Sequence, residues 1–122
     1  MTYKILFEEL PPTINQLYFN VPGRGRVMTK KGKDWKEAFA IATRNVVRGR
    51  MLEGTIKCEV EIGYKHNRDI DGSLKAILDA MQGVAYENDS QIVDLHIIKV
   101  KSNNPYVAVE LIDLTTLQNE KS

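Results

Sequence analysis

Ile56-Lys57-Cys58-Glu59-Val60-Glu61-Ile62-Gly63-Tyr64 runs through Lys65-His66-Asn67-Arg68 into Asp69-Ile70-Asp71-Gly72-Ser73-Leu74-Lys75. The first part alternates. Ile56, Cys58, Val60, Ile62 and Tyr64 fall on one side and Lys57, Glu59, Glu61 and Lys65 on the other, so residues 55–65 read as a strand with one core face. The second part changes period. Asp71 is a good N-cap, Leu74, Ile77, Leu78 and Met81 follow at helical spacing, and Gly83 is a plausible stop, which predicts a helix over Asp71–Gln82. Asp69 and Asp71 are two apart. If the chain is still extended there, both carboxylates point to one side. Lys75 lies one turn from Asp71. Two acids and an amine around one small volume suit a divalent-metal phosphoryl-transfer site, with carboxylate oxygens for Mg²⁺ and a cation for the phosphate. The same residues also suit a plainer role. Acids before a helix cap its free N–H groups, and Asp71, Lys75 and Asp79 at i, i+4 spacing form a solvated charge ladder. Spacing alone leaves both readings open.

Outward from this stretch, residues 2–8 place Tyr3, Ile5 and Phe7 on one side of a strand. Leu10-Pro11-Pro12-Thr13-Ile14-Asn15 ends it, since proline cannot donate to a ladder. The chain from there to Arg26 is expected to be irregular, with Gly23-Arg24-Gly25-Arg26 as a loop able to approach phosphates. Thr29 is a cap for a helix over roughly residues 30–48, whose stripe of Trp35, Ala38, Phe39, Ala42 and Val46 marks Trp35 as core. After Gly83–Gln91, a turn-rich loop, strands are expected at about 92–101 and 106–112, joined by Asn103-Asn104-Pro105. Residues 114–122 form a polar tail. The order β-α-β-α-β-β predicts an α+β fold, one two-layer domain over residues 1–113 with a mixed sheet covered by two helices.

At 122 residues, 43% hydrophobic and 27% charged, the chain is long enough for one soluble core without staples. The single Cys58 excludes an internal disulfide framework and a cysteine-rich zinc site, and its place in the alternating strand predicts a buried, inert thiol. The N-terminus reads as a strand instead of a secretory leader, and no apolar run reaches membrane-span length, so a cytoplasmic protein is expected. The net charge of +1 conceals segregation. Residues 22–50 hold nine basic and two acidic side chains, a balance of +7, which leaves −6 on the rest. Residues 69–94 hold six acids and one base. A basic segment beside an acidic one suggests a polyanion surface next to a cation site. Arg24, Arg26, Lys30, Lys31, Lys33, Lys65 and Arg68 are the candidate phosphate contacts, although any one alone is ordinary surface charge. His66 and His96 are expected to be structural or exposed.

Pro-Pro-Thr-Ile-Asn near the start, Gly-Arg-Gly-Arg before the first helix, Arg68-Asp69-Ile70-Asp71, Lys75, Leu78-Asp79-Ala80-Met81 and Asn88-Asp89-Ser90-Gln91-Ile92-Val93-Asp94 occur in this order. The set resembles the RusA family of Holliday-junction resolvases of phages, prophages and bacteria, over about residues 4–112. The resemblance implies a small homodimeric, Mg²⁺-dependent endonuclease that cuts four-way DNA junctions symmetrically in recombination and repair. It implies Asp69, Asp71 and Asp89 as the essential, metal-holding acids and Lys75 as an essential cation. Asp89 comes from the resemblance alone, because spacing does not prefer it over Glu87 or Asp94. The family usually carries Asn after the second Asp, where this chain has Gly72. Two other functions fit the same residues: a non-catalytic nucleic-acid-binding module, and a metal-dependent nuclease acting on flaps or RNA.

Overall fold

The computed structural model describes residues 1–115 of the chain. Its elements are β1 (Thr2–Phe7), α1 (Ile14–Leu17), β2 (Tyr18–Val21), β3 (Gly25–Met28), α2 (Lys30–Val47), β4 (Ile56–Tyr64), α3 (Ile70–Met81), a 3₁₀ turn (Asp89–Gln91), β5 (Ile92–Lys101) and β6 (Tyr106–Asp113). The fold is α+β, as expected. The main sheet has the order β1-β6-β4-β5. β4 pairs with β5 in parallel and with β6 antiparallel, so the sheet is mixed. Parallel neighbours need a crossover, and α3 supplies it.

Binary pattern decides which face is buried. Ile56, Cys58, Val60 and Ile62 of β4 point to the same side as Val107, Val109 and Leu111 of β6 and Tyr3 and Ile5 of β1. Trp35, Phe39 and Val47 of α2 and Ile77, Ala80 and Met81 of α3 close over them. Trp35 is core, stacked on Phe39 at 5.1 Å with Phe7 edge-on to both. Its indole N–H donates to the Glu9 carbonyl at 3.1 Å. Cys58 is fully buried, and desolvation, helped by Glu59, pushes its thiol up to about 12, far from the thiolate that reacts. The opposite face of the sheet carries a charged row across all four strands, Lys4–Glu110–Glu59–His96.

Two expectations need correction. The segment to Arg26 is ordered: α1 is followed by the β2–β3 hairpin, with Gly23 and Gly25 at positive φ in its tip. Those glycines are what a tight hairpin turn requires. The α3 helix begins one residue earlier, at Ile70. Asp69, in extended conformation, is its N-cap in place of Asp71, and accepts from the Asp71 N–H at 3.2 Å. The tail is tied down at its start, since Leu114 N–H donates to Thr55 O and Thr55 N–H to Thr115 Oγ1, both at 3.0 Å. A side chain at Gly54 would collide with Thr115. The rest of the expected tail lies outside the described residues. Thr29 does cap α2, accepting from Gly32 N–H at 3.1 Å. Gly63 is covered by the Tyr106 ring, whose hydroxyl donates to Glu61 at 2.6 Å, so a Cβ there would strike the ring.

Candidate active site

Where β4 ends, the chain must turn back to enter α3. Lys99 of β5 holds that turn, its ammonium donating to Asn67 Oδ1 at 2.9 Å and to the Arg68 carbonyl at 3.0 Å. Asp69 and Asp71 follow at once, both exposed, one as the cap and one in the first turn. They therefore share a helix start and not an extended strand. Carboxylates here sit in the favourable field of the helix N-terminus. A cleft of about 240 Å³ lies beside them, lined by Pro12, Thr13, Asn15, Arg68, Asp69 and Gly72. Pro12, Thr13 and Asn15 of the Pro-Pro-Thr-Ile-Asn motif thus share a cleft with Asp69. Asn15 lines the same cleft as Asp69, a neighbourhood that spacing alone did not reveal.

Lys75 is exposed and pairs with Asp79 at 3.2 Å. In this state its ammonium serves the helix-surface ladder, a weak pair at such exposure.

Asp89 opens the 3₁₀ turn before β5 and is exposed. The strand register fixes which end of the sheet this is. Ile92 pairs with Ile56, the first residue of β4, whereas Lys99 pairs with Ile62 near its last. Asp89 is thus at the opening end of β4, and Asp69 and Asp71 at its closing end. The twelve residues of α3 span about 18 Å between them. Among the described residues, no group of three or more His, Cys, Asp or Glu side chains is arranged to hold a metal ion. The expected convergence of three acids does not occur within one chain. Burial, then the charges of Cys58, Asp89 and Asp79, raise the pKa of Tyr86, whose hydroxyl donates to the Leu78 carbonyl at 2.7 Å.

Asp89 is held with care. The Gln91 side chain accepts from the Glu87 and Asn88 N–H groups at 3.0 and 3.1 Å and donates to the Leu52 and Gly54 carbonyls at 2.7 and 3.0 Å. Asn88 caps the turn through Ser90 N–H at 2.9 Å. One amide thereby ties the Asp89 turn to the segment that leads into β4.

The basic candidates divide by position. Lys31, Lys65, His66 and Arg68 line one cleft of about 380 Å³ together with Trp35 and Gln16, and with the acids Glu8 and Glu9 just past the end of β1. Arg68 is its notable member. It is half-buried, one of its Nη atoms is inaccessible and without a hydrogen-bond partner, and desolvation lowers its pKa. The guanidinium is thus partly desolvated and keeps unused donor capacity. Arg24 and Arg26 stand on the β2–β3 hairpin, Arg26 over the Tyr18 ring at 4.8 Å. Lys30 pairs with Asp34 at 3.0 Å, and Lys33 lies in the first turn of α2. His96 is exposed on the open sheet face, 3.4 Å from Asp94.

A family model described as Endodeoxyribonuclease RusA matches residues 9–112, most of the chain. No curated protein matches it. The match spans the Asp69–Asp71 helix start, the Asp89 turn and Arg68 with its neighbours Lys31, Lys65 and His66. This chain belongs to the RusA family of endodeoxyribonucleases, enzymes that resolve Holliday junctions.

Proposed function

We propose that the chain is a Mg²⁺-dependent, homodimeric resolvase of four-way DNA junctions, acting in the cytoplasm in recombination and repair. Asp69, Asp71 and Asp89 would hold the ion, and Lys75 would face the phosphate. The donor chemistry fits, because three exposed carboxylates offer the hard oxygens that Mg²⁺ prefers. The number within one chain does not suffice, since Asp89 is one helix length from the other two. This separation carries the reading: Asp69 and Asp71 of one copy and the partner's Asp89 would together make each site. A two-fold dimer then has two equal sites, which is what a junction with two symmetry-related strands demands.

A divalent ion so held supplies a more acidic water and charge compensation at the phosphate. The protein's own work is different. Arg68, with Lys31, Lys65 and His66, seats the DNA backbone beside the Asp69–Asp71 helix start. Arg24, Arg26, Lys30 and Lys33 extend this surface along the hairpin and α2. Lys75 would leave Asp79, a weak partner, for the phosphate as DNA arrives. Gln91 keeps the Asp89 turn in place.

A synthetic four-way junction, a matched duplex and a flap, each with and without Mg²⁺, test the reading. Symmetric cutting of the junction alone, and only with Mg²⁺, is expected. Preference for the flap would transfer the same acids to another substrate, and binding without cutting would reduce the chain to a binding module.

Arg68→Ala is expected to weaken junction binding about tenfold or more, since a charged hydrogen bond contributes roughly 1.5–3 kcal/mol. The salt dependence of log K should flatten by nearly one. Filter binding across a salt series measures both. Unchanged affinity and slope would remove Arg68 from the interface.

A further inference from the structure

We propose that Phe19, on the β2–β3 hairpin, is a wedge that stacks on a base freed at the branch point and so carries part of the preference for a junction over a duplex. This rests on the junction reading above and deepens it by naming what is recognised there. Of the chain's nine aromatic side chains, all among the described residues, Phe19 alone is exposed, at 50%. A single exposed apolar side chain is ordinary by itself. Its mounting is what makes this one informative. The hairpin tip is stiff: Arg24 N–H donates to the Val21 carbonyl at 3.0 Å across a turn in which Pro22 fixes one φ and Gly23 supplies a φ of +81°. The root is fixed as well. Thr29 N–H donates to the Leu17 carbonyl at 2.7 Å, and a Cβ on Gly32 of α2 would meet that carbonyl and Met28 Cγ at 3.0 Å. Cross-strand partners share a face. Tyr18, Asn20, Arg26 and Met28 therefore lie on one side, where Arg26 covers the Tyr18 ring. Phe19, Val21 and Val27 make the other side, which is apolar. Gly25, diagonal to Phe19, sets no side chain against the ring, and a Cβ there would meet nothing within 4 Å. One ring is taken by a guanidinium; the other stands open on a rigid arm.

Charge decides the occupant. Residues 10–33 contain five basic side chains and no acid. Arg24 and Arg26 are exposed on the hairpin, and Lys30, Lys31 and Lys33 follow, also exposed, in the first turn of α2. An apolar ring inside a cationic rim is the arrangement that takes a base together with its flanking phosphates. Position decides which base. Asn15 of α1 lines the cleft beside Asp69. Phe19 is four residues further along, no more than about 14 Å of chain. At about 3.4 Å per step along a strand, a base within roughly four steps of the phosphate at Asp69 is in reach. In an intact duplex every base is held between its neighbours, and seating the ring means breaking a stack. Where strands exchange, the stack is already interrupted and that cost falls. The ring therefore favours branched DNA over a plain duplex without reading sequence.

Binding of a four-way junction with 2-aminopurine beside the branch point, and of a duplex with the same probe, tests the wedge. Mg²⁺ is left out so that the DNA stays whole. With the unaltered chain, fluorescence should rise in the junction, as the probe base leaves its neighbours, and stay low in the duplex. Phe19→Ala should lose at least half of that rise. It should also bind the junction roughly five- to a hundredfold more weakly, the worth of one base–aromatic stack, with duplex affinity within about twofold of normal. Phe19→Tyr, which keeps the ring, should restore both. Leu6→Ala, at a side chain 67% exposed on β1, should change neither. No rise with the unaltered chain overturns the wedge without recourse to any variant. So do equal losses on junction and duplex, which would make the ring a general backbone contact, and unchanged affinity and fluorescence in Phe19→Ala, which would leave it idle. Altered sedimentation of Phe19→Ala would assign the ring to a seam between proteins, and that also overturns it. In each of these cases an unaltered chain that still prefers the junction keeps the junction reading. An unaltered chain that binds the junction no better than the duplex ends that reading, and the wedge with it.

Discussion

Asp71→Asn and Asp89→Asn chains, each inert by itself, are expected to regain junction nicking when refolded together. Either change removes one anionic oxygen ligand and should cost about 4 kcal/mol or more of transition-state stabilisation, roughly 10³ in rate. In a homodimer of either variant, both sites carry the defect. In a mixed dimer the outcome depends on topology. If each site drew all its acids from one chain, both sites would still be defective. If each takes Asp69 and Asp71 from one copy and Asp89 from the other, the defects fall together in one site. The other site is then whole, built from the Asp89→Asn chain's helix start and the Asp71→Asn chain's Asp89. Random association puts about half the dimers in the mixed class. Activity near a quarter of the normal site concentration is therefore expected. The products should be singly nicked, because no dimer holds two working sites. Gel analysis of end-labelled junctions separates nicked from fully resolved molecules. Silence from the mixture, with mixed dimers shown by mass, would end the shared-site reading. The grounds for expecting complementation are the register Ile56↔Ile92 and the length of α3, which hold Asp89 away from the other acids of its own chain.

The fold was legible where period and burial agree. β4 alternates so regularly, and α3 follows it so directly, that both were readable to within a residue or two, and β5 matches its expected bounds. Trp35 and Cys58 were readable as core because each lies on an apolar stripe. The β2–β3 hairpin was not. Its strands have four residues each and bury little, so no alternation was long enough to see. The cap of α3 was displaced by two residues because Asp69 and Asp71 are equally good caps. Only the extended backbone of Asp69, at φ −80° and ψ 122°, decides between them. The candidate residues could be named from the sequence, but not their arrangement. Asp69, Asp71 and Lys75 are close in sequence, but which end of the sheet receives Asp89 depends on β4 and β5 being parallel, a long-range property. The positions of Asn15 beside Asp69 and of Gln91 under the Asp89 turn were missed for the same reason. Nothing local to Asn15 reports Asp69, and nothing local to Gln91 reports the carbonyls of Leu52 and Gly54.

Gln91→Glu is expected to slow cleavage ten- to a hundredfold, roughly 1.4–2.7 kcal/mol of activation free energy, while leaving junction affinity intact. The change is nearly isosteric, so what it alters is hydrogen-bond polarity. A carboxylate can still accept from Glu87 and Asn88 N–H. It cannot donate, and the Leu52 and Gly54 carbonyls, now 2.7 and 3.0 Å from an anionic oxygen, would be both unsatisfied and repelled. Each partly buried acceptor left unmet costs about 1–3 kcal/mol, so for two of them a stability loss of roughly 2–6 kcal/mol should accompany the change. The local consequence matters more. The Asp89 turn would lose its tether to the segment before β4, and a ligand carboxylate displaced by an ångström forfeits much of its effect. A purely structural role predicts a lower melting temperature and normal turnover well below it. A positioning role predicts lowered kcat at those temperatures with unchanged junction binding, since Gln91 is remote from the Arg68 cleft. Gln91→Ala, which breaks all four bonds without adding charge, should move in the same direction. Single-turnover cleavage against binding, for both variants and far below melting, separates the two roles. Normal single-turnover rates would leave Gln91 as a structural tie and nothing more.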